Sequence, residues 1–331
     1  MLEYILRRVI MTIPLLFLIS LISYMVIELP PGNYLVQYVA TLESRTGMTL
    51  PPEQIEQLRG LYGLDKPIYI RYLRWLGNVI RGDLGRSFQH NRPVGELLAE
   101  RIPLTILLTF VAIVFSWAIA IPIGVFSAVN QYSIFDYVFT FLGFIGLAMP
   151  SFLLALIVMW FAFSSLGFTA TGLFSSEYLD APWTMAKFLD LLKHLPVPAL
   201  IIGLSGTAGL IRIMRGNLLD ELSKPYVETA RAKGLKERRL LFKYPVRVAI
   251  NPLISTIGWL LPHLFSGSTL VAIVLDLQTV GPLLFNGLLS QDMYLASSIV
   301  LILSSLTLIG TLISDILLAW VDPRIRYERS T

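Results

Sequence analysis

The sequence contains no cysteine, which excludes disulfides, thiolate metal sites and cysteine nucleophiles together. Histidine is scarce. His90, His194 and His263 are the three in 331 residues, too scattered to suggest a metal centre. Charge is thin as well, with Asp, Glu, Lys and Arg at 15 % of the chain against about 25 % in soluble domains. No Gly-x-x-x-x-Gly-Lys-Ser/Thr phosphate loop occurs, so ATP-driven work would have to be done by another polypeptide. Internal repeats and low-complexity tracts are absent.

What is present is apolar. Hydrophobic residues make up 55 % of the chain and the mean hydropathy is +0.69. This is the composition of an all-α polytopic membrane protein, with lipid as its medium and no nucleic-acid partner. The first apolar run, Val9 to Leu29, follows Arg7-Arg8 and lacks a small-residue cleavage site. It reads as a retained span and not as a signal peptide. Residues 1–29 are therefore the N-terminal end and first span, and Pro30-Pro31-Gly32 stops the helix.

Residues 30–102 are polar enough to lie outside the bilayer, yet rich in aromatic residues. A structureless loop of that length would be unusual, so a small folded cap is expected. Residues 103–331 then form a membrane core. Its spans are Pro103–Val129, Tyr137–Phe163, Leu195–Met214, Pro252 to about Leu277, and Ala296–Trp320. Pro150 falls inside the second of these and is expected to kink it. Residues 164–194 form an exposed loop with Trp183 as an interface anchor, and residues 278–295 a hairpin at the outer face. In the fourth span of the chain, small residues such as Gly203, Gly206 and Thr207 permit close helix approach. These residues and Gly267 to Thr269 are candidate contacts for a neighbouring subunit.

Orientation follows from positive charge. Arg7 and Arg8 precede the first span, ten Lys/Arg lie from Arg212 to Arg247, and Arg324, Arg326 and Arg329 follow the last span. All fall on one side if there are six spans with both termini in the cytoplasm. The nine Lys/Arg of residues 30–102 count little, because long translocated segments ignore the rule.

The longest strongly charged stretch is Pro225 to Pro252, within a loop at 217–251. Pro225 suits a helix's first turn, where a missing N–H costs nothing. Val227, Ala230, Gly234 and Leu235 recur at helical spacing, and Glu228 stands one turn before Arg231. Gly234 can take the left-handed conformation that ends a helix. A second short helix, Lys236 to Tyr244, then runs to Pro245. The expectation is two short helices with a glycine corner on the cytoplasmic membrane surface. A basic juxtamembrane segment held by anionic lipid would explain the charge, but not the order Glu228-Thr-Ala-x-x-x-Gly234.

That order resembles the Glu-Ala-Ala-x-x-x-Gly coupling loop of ABC-importer permeases, with Thr229 in place of the usual Ala and no Ile-x-Leu-Pro following at the usual distance. ARAKGL followed by ERR is similar to the peptide-type branch. RYLRWLGN, RGDLG and RPVGELLAERIP resemble the segment between the first two spans of the B-type subunit of dipeptide and oligopeptide (peptide/nickel) importers, and VDPRIRYERST its tail. The resemblance implies a permease subunit of a prokaryotic cytoplasmic (inner) membrane, with the cap outside and the coupling loop inside. Its partners would be a second homologous permease, two ATP-binding subunits and an extracytoplasmic solute-binding protein. ATP and magnesium would be bound by the ATP-binding subunits, with no cofactor or metal in this chain. Glu228, Thr229, Ala230, Arg231, Lys233, Gly234 and Lys236 would be the coupling residues. The solute would be a peptide, with oligosaccharide or a nickel complex as alternatives, because residues 270–285 depart from the Pro-Gly-Leu-Gly ending usual in peptide permeases.

Three ionisable residues within the spans, His263, Asp276 and Asp315, are candidates for lining a solute path. An enzyme reading also exists. Gly203-Leu204-Ser205-Gly206 resembles the nucleophile motif of rhomboid-type intramembrane proteases, with His263 as its base. Gly and Ser in a membrane helix serve packing equally well.

Overall fold

The computed structural model describes residues 2–28, 34–46, 51–61, 64–167, 171–179 and 181–321. Its helices in chain order are α1 (Leu2–Glu28), α2 (Tyr34–Thr46), α3 (Pro52–Leu61), α4 (Ile68–Ile80), α5 (Val94–Val129), α6 (Ile134–Ala148), α7 (Ser151–Leu166) and α8 (Met185–His194). They continue as α9 (Pro196–Leu222), α10 (Pro225–Ala232), α11 (Glu237–Lys243), α12 (Pro245–Ala249), α13 (Asn251–Val274), α14 (Val280–Leu289) and α15 (Met293–Val321). No β-strand occurs among the described residues.

Four described helices are long and apolar enough to cross a membrane: Ile10–Glu28, Val94–Val129, Met185–Leu222 and Met293–Ser314. The pair α6 and α7 makes a fifth if counted together. Pro150 breaks this pair instead of kinking it, and the two helices diverge by 105°. Pro150 lacks an N–H, and the residue before a proline is pushed out of the helical region. Met149 (φ −87°, ψ 123°) and Pro150 (φ −57°, ψ 136°) are accordingly both extended.

The chain forms two compact units. One comprises Met1–Leu104 and Thr279–Leu308. Its core joins Tyr24 of α1 to Tyr72 and Trp75 of α4 and to Met293 and Ala296 of α15. The Tyr24–Tyr72 and Tyr24–Trp75 ring centroids lie 5.4 and 5.5 Å apart, within the range of favourable aromatic pairs. Arg71 grips Glu28 through two hydrogen bonds of 2.7 Å. Asp292 is fully buried at the start of α15 and accepts from Leu295 N (3.2 Å), Ser87 Oγ (2.6 Å) and Gln89 N (3.0 Å). Burial pushes its carboxyl up, and the Ser87 and backbone hydrogen bonds oppose that shift.

The other unit comprises Thr105–Gln278 and Ile309–Thr331 and is organised around α9. Gly203 admits α5, since a Cβ there would stand 2.8 Å from Ala112 O and 3.0 Å from Ser116 Oγ. Ser116 Oγ donates to Gly203 O at 2.8 Å. On α5, a Cβ at Gly124 would stand 2.7 Å from Met214 Cβ. Gly203 thus serves packing inside the chain, and not a neighbouring subunit. The contacts run 112 to 203 and 124 to 214, so α5 and α9 are parallel. At the far end, Ser314 Oγ donates to Ile254 O at 3.0 Å and brings the end of α15 to the start of α13.

Candidate functional site

The charged corner is built from the backbone outward. Pro225 occupies the first turn of α10. At its other end Lys233 is the C-cap, and Gly234 follows with φ 76°. Gly234 N–H reaches Arg231 O at 3.0 Å and Leu235 N–H reaches Ala230 O at 3.4 Å, the paired bonds of a Schellman end. No atom lies within 4 Å of where a Gly234 Cβ would sit. The glycine is needed for its dihedral, not for space. Val227, Ala230 and Leu240 form a small buried core between α10 and α11, with Leu235 and Tyr244 packed against it.

Arg231 reaches across the corner to Glu237 with bonds of 2.6 and 3.3 Å. The helical spacing favoured Glu228 as its partner, but the reversal of the chain brings Glu237 within hydrogen-bonding distance. The Arg231 guanidinium holds the Glu237 carboxyl below the ordinary glutamate range. Thr229 Oγ1 donates to Pro225 O at 2.9 Å, one turn back in its own helix. Tyr226 donates to Glu221, and burial followed by this bond pushes its phenol up. Glu228, Lys233 and Lys236 are exposed on the outer surface. Of the seven coupling candidates, Ala230 is therefore interior, Gly234 is conformational, and Thr229 and Arg231 are engaged locally.

The corner is joined to the spans through α12. Val246, Ala249 and Leu253 pack with Met214 and Leu218 of α9 and with Val125 and Ala128 of α5. The adjacent end of α6 is tied to α9 by a pair that the sequence analysis does not single out. Asp136 is 3 % exposed and accepts Arg215 Nε at 2.9 Å and Nη2 at 2.8 Å. It also accepts Tyr132 N at 3.1 Å, while Ser133 Oγ accepts Asp136 N at 3.2 Å. The signal was available: Ser133-x-x-Asp136 has the spacing of a helix N-cap, and Arg215 is a charge within an apolar helix.

Of the solute-path candidates, Asp276 is exposed in the turn after α13 with φ 51°. His263 and Asp315 lie outside the residues whose side chains are described. Ser205 Oγ donates to Ile202 O at 2.9 Å within its own helix, the usual way a membrane helix satisfies a serine.

Residues 120–327 match the family described as binding-protein-dependent transport system inner membrane component, and residues 1–109 match the N-terminal component of such membrane proteins. The chain belongs to this family. It is a permease subunit of the ABC-importer type, which leaves the protease reading without support. The permease is 38 % identical over 328 residues to the oligopeptide transport system permease protein AppB of Bacillus subtilis, covering 99 % of this chain and 100 % of that one. It is 31 % identical over 328 residues to the oligopeptide transport system permease protein OppB of Haemophilus influenzae, covering 99 % and 100 %. It is 33 % identical over 359 residues to the peptidoglycan transport system permease protein YejB of Agrobacterium fabrum, covering 98 % of each.

Proposed function

We propose that this permease forms half of the translocation pathway of an ATP-driven peptide importer, and that the corner from Pro225 to Lys243 couples it to an ATP-binding subunit. The observation that carries the coupling role is the construction of the corner. It is a compact two-helix piece with its own core, rooted in the spans through α12, and Glu228, Lys233 and Lys236 are left outward for a partner. Arg231, itself exposed, is engaged locally and fixes the corner through Glu237. The peptide assignment is supported by the printed names of the oligopeptide relatives. Peptidoglycan-derived solute is the second reading, favoured by the Agrobacterium relative.

Six crossings are α1, α5, the α6–α7 pair, α9, α13 and α15. The parallel run of α5 and α9 supports counting the broken pair as one crossing, because two parallel spans need one crossing between them. Both termini and the corner then fall on the cytoplasmic side of the membrane. The chain itself hydrolyses no ATP. Two ATP-binding subunits hold ATP and magnesium, an extracytoplasmic binding protein delivers solute, and a homologous second permease supplies the other corner.

The test uses the reconstituted complex with a labelled oligopeptide. Gly234→Pro and Glu228→Lys should leave the subunit inserted and abolish both uptake and solute-stimulated ATPase. Proline forbids the left-handed cap, and lysine reverses a charge that helix starts favour by about 0.3–1 kcal/mol. Normal stimulation in both variants rejects the coupling role. Uptake of peptidoglycan fragments in place of oligopeptide rejects the substrate.

A further inference from the structure

Helix α9 carries two arginines one turn apart, and their surroundings differ. Arg215 is paired with the buried Asp136 at the start of α6. Arg212 is exposed, and among the described residues it has no carboxylate within ion-pairing distance. Its neighbour is an aromatic ring. The guanidinium lies over Phe144 of α6, 5.8 Å from the ring centroid.

The direction in which Arg212 reaches is informative. Asp136 meets Arg215, and a Cβ at Gly143 would stand 3.5 Å from Ala208 Cβ, so α6 and α9 run antiparallel. Phe144 therefore stands beside Ala208, one helical turn or about 6 Å from Arg212. In the six-crossing topology α9 leaves the membrane toward the corner, so this turn leads into the bilayer and away from the cytoplasm. Helical side chains tilt toward the N-terminus of their own helix, and Arg212 extends that way onto the ring. An arginine held at the inner boundary by lipid phosphates would snorkel in the opposite direction. A guanidinium that reaches into the membrane requires water or a polar occupant in front of it. The same face of α9 leaves room for one. Ser205, Gly209 and Gly216 recur with Arg212 at i, i+4, i+7 and i+11, and nothing lies within 4 Å of where a Cβ would sit on Gly209 or Gly216.

A ring against a guanidinium leaves the in-plane N–H groups free, and these form a fork that fits a carboxylate. We propose that Arg212 lines the solute path near its cytoplasmic end and receives the C-terminal carboxylate of the translocated peptide. That carboxylate is a group that a peptide carries whatever its sequence. Phe144 holds the guanidinium in place without neutralising it, and Asp136 is occupied by Arg215 and does not compete with the solute. This inference rests on the peptide-importer reading given above.

The experiment measures uptake by the complete reconstituted importer of two peptides that lack Asp and Glu, one with a free C-terminal carboxylate and one amidated, chosen for equal affinity to the binding protein. The unsubstituted importer should take up the free acid about tenfold faster at limiting peptide. Arg212→Gln should lower uptake of the free acid about tenfold and leave the amide within about twofold, so that the preference disappears. A loss of folded complex lowers both rates alike and cannot imitate this pattern. If Arg212→Gln does not assemble, Arg212→Lys decides instead. It keeps the charge but loses the fork, and should narrow the preference by slowing the free acid alone. The inference is overturned by equal losses for the two peptides, by no loss for either, or by an unsubstituted importer that does not distinguish them. Failure of the unsubstituted importer to take up either peptide would instead reject the peptide reading.

Discussion

At the scale of residues, four helix ends close in the same way with different side chains. Gly82, Gly234, Asp276 and Gln291 stand at the left-handed position, with φ of 85°, 76°, 51° and 53°. In each case two N–H groups reach back to the last helical turn, as Asp276 N does to Ile273 O and Leu277 N to Ala272 O. A side chain in this conformation costs roughly 1–2 kcal/mol, which glycine avoids. Gly234→Ala should therefore lower the thermal midpoint of the purified complex, while Gln291→Gly should leave it unchanged or raise it slightly. The Gly234 end was legible in the sequence because glycine marks the dihedral. The Asp276 and Gln291 ends were not, since neither residue type announces a left-handed turn. The Asp136–Arg215 pair makes a second prediction. Breaking a buried pair by removing one partner costs about 3–5 kcal/mol, and the partial exposure of Arg215 places this pair at or below the lower end. Arg215→Ala and Asp136→Asn should each destabilise the complex, and the double variant should lose less than the sum. Additive losses in a double-mutant cycle would mean the two groups act independently.

At the scale of elements, the corner is stiff for a stated reason. Its two helices share a core, and the Arg231–Glu237 pair closes the gap between them. Because the Glu237 carboxyl is held down, the contribution of the pair is present above the ordinary glutamate value of 4.5 and lost as pH falls below it through the lowered folded value. A spin label on Lys233→Cys should report constant mobility from about pH 8 to about pH 5 and rising mobility below that, whereas Glu237→Gln should abolish the rise. Salt should loosen the corner as well, since the pair is solvent-exposed. The proline rule correctly marked a disturbance at Pro150, but its size was not legible. Sequence shows that a hydrogen bond is lost. Whether the helix bends slightly or turns by 105° depends on what packs on each side.

At the scale of the whole molecule, a chain without cysteine permits a clean test of topology. A cysteine introduced at Thr46 should react with an impermeant thiol reagent from outside, and one at Lys236 only after permeabilisation. Reaction from the same side at both positions rejects six crossings. Much of the architecture was legible, because apolar runs of bilayer length and clustered positive charge are direct consequences of the solvent. What escaped sequence reading was association at long range. Asp292 binds Ser87 and Met293 packs on Tyr24 across more than half of the chain, and no local periodicity encodes such pairings.

That distant pairing bears on how the protein is made. Ribosomes release chains from the N-terminus, so α1 and α4 emerge long before Met293 and Ala296, which complete their core. Until then the inner face of Trp75 and the hydroxyl of Ser87 wait without their final neighbours. Throughout the insertion of most of the later helices, the growing chain carries a half-built unit, open to chaperones and to quality-control proteases. A chain stalled before residue 292 would be cleared as unfinished at its beginning, not only at its end.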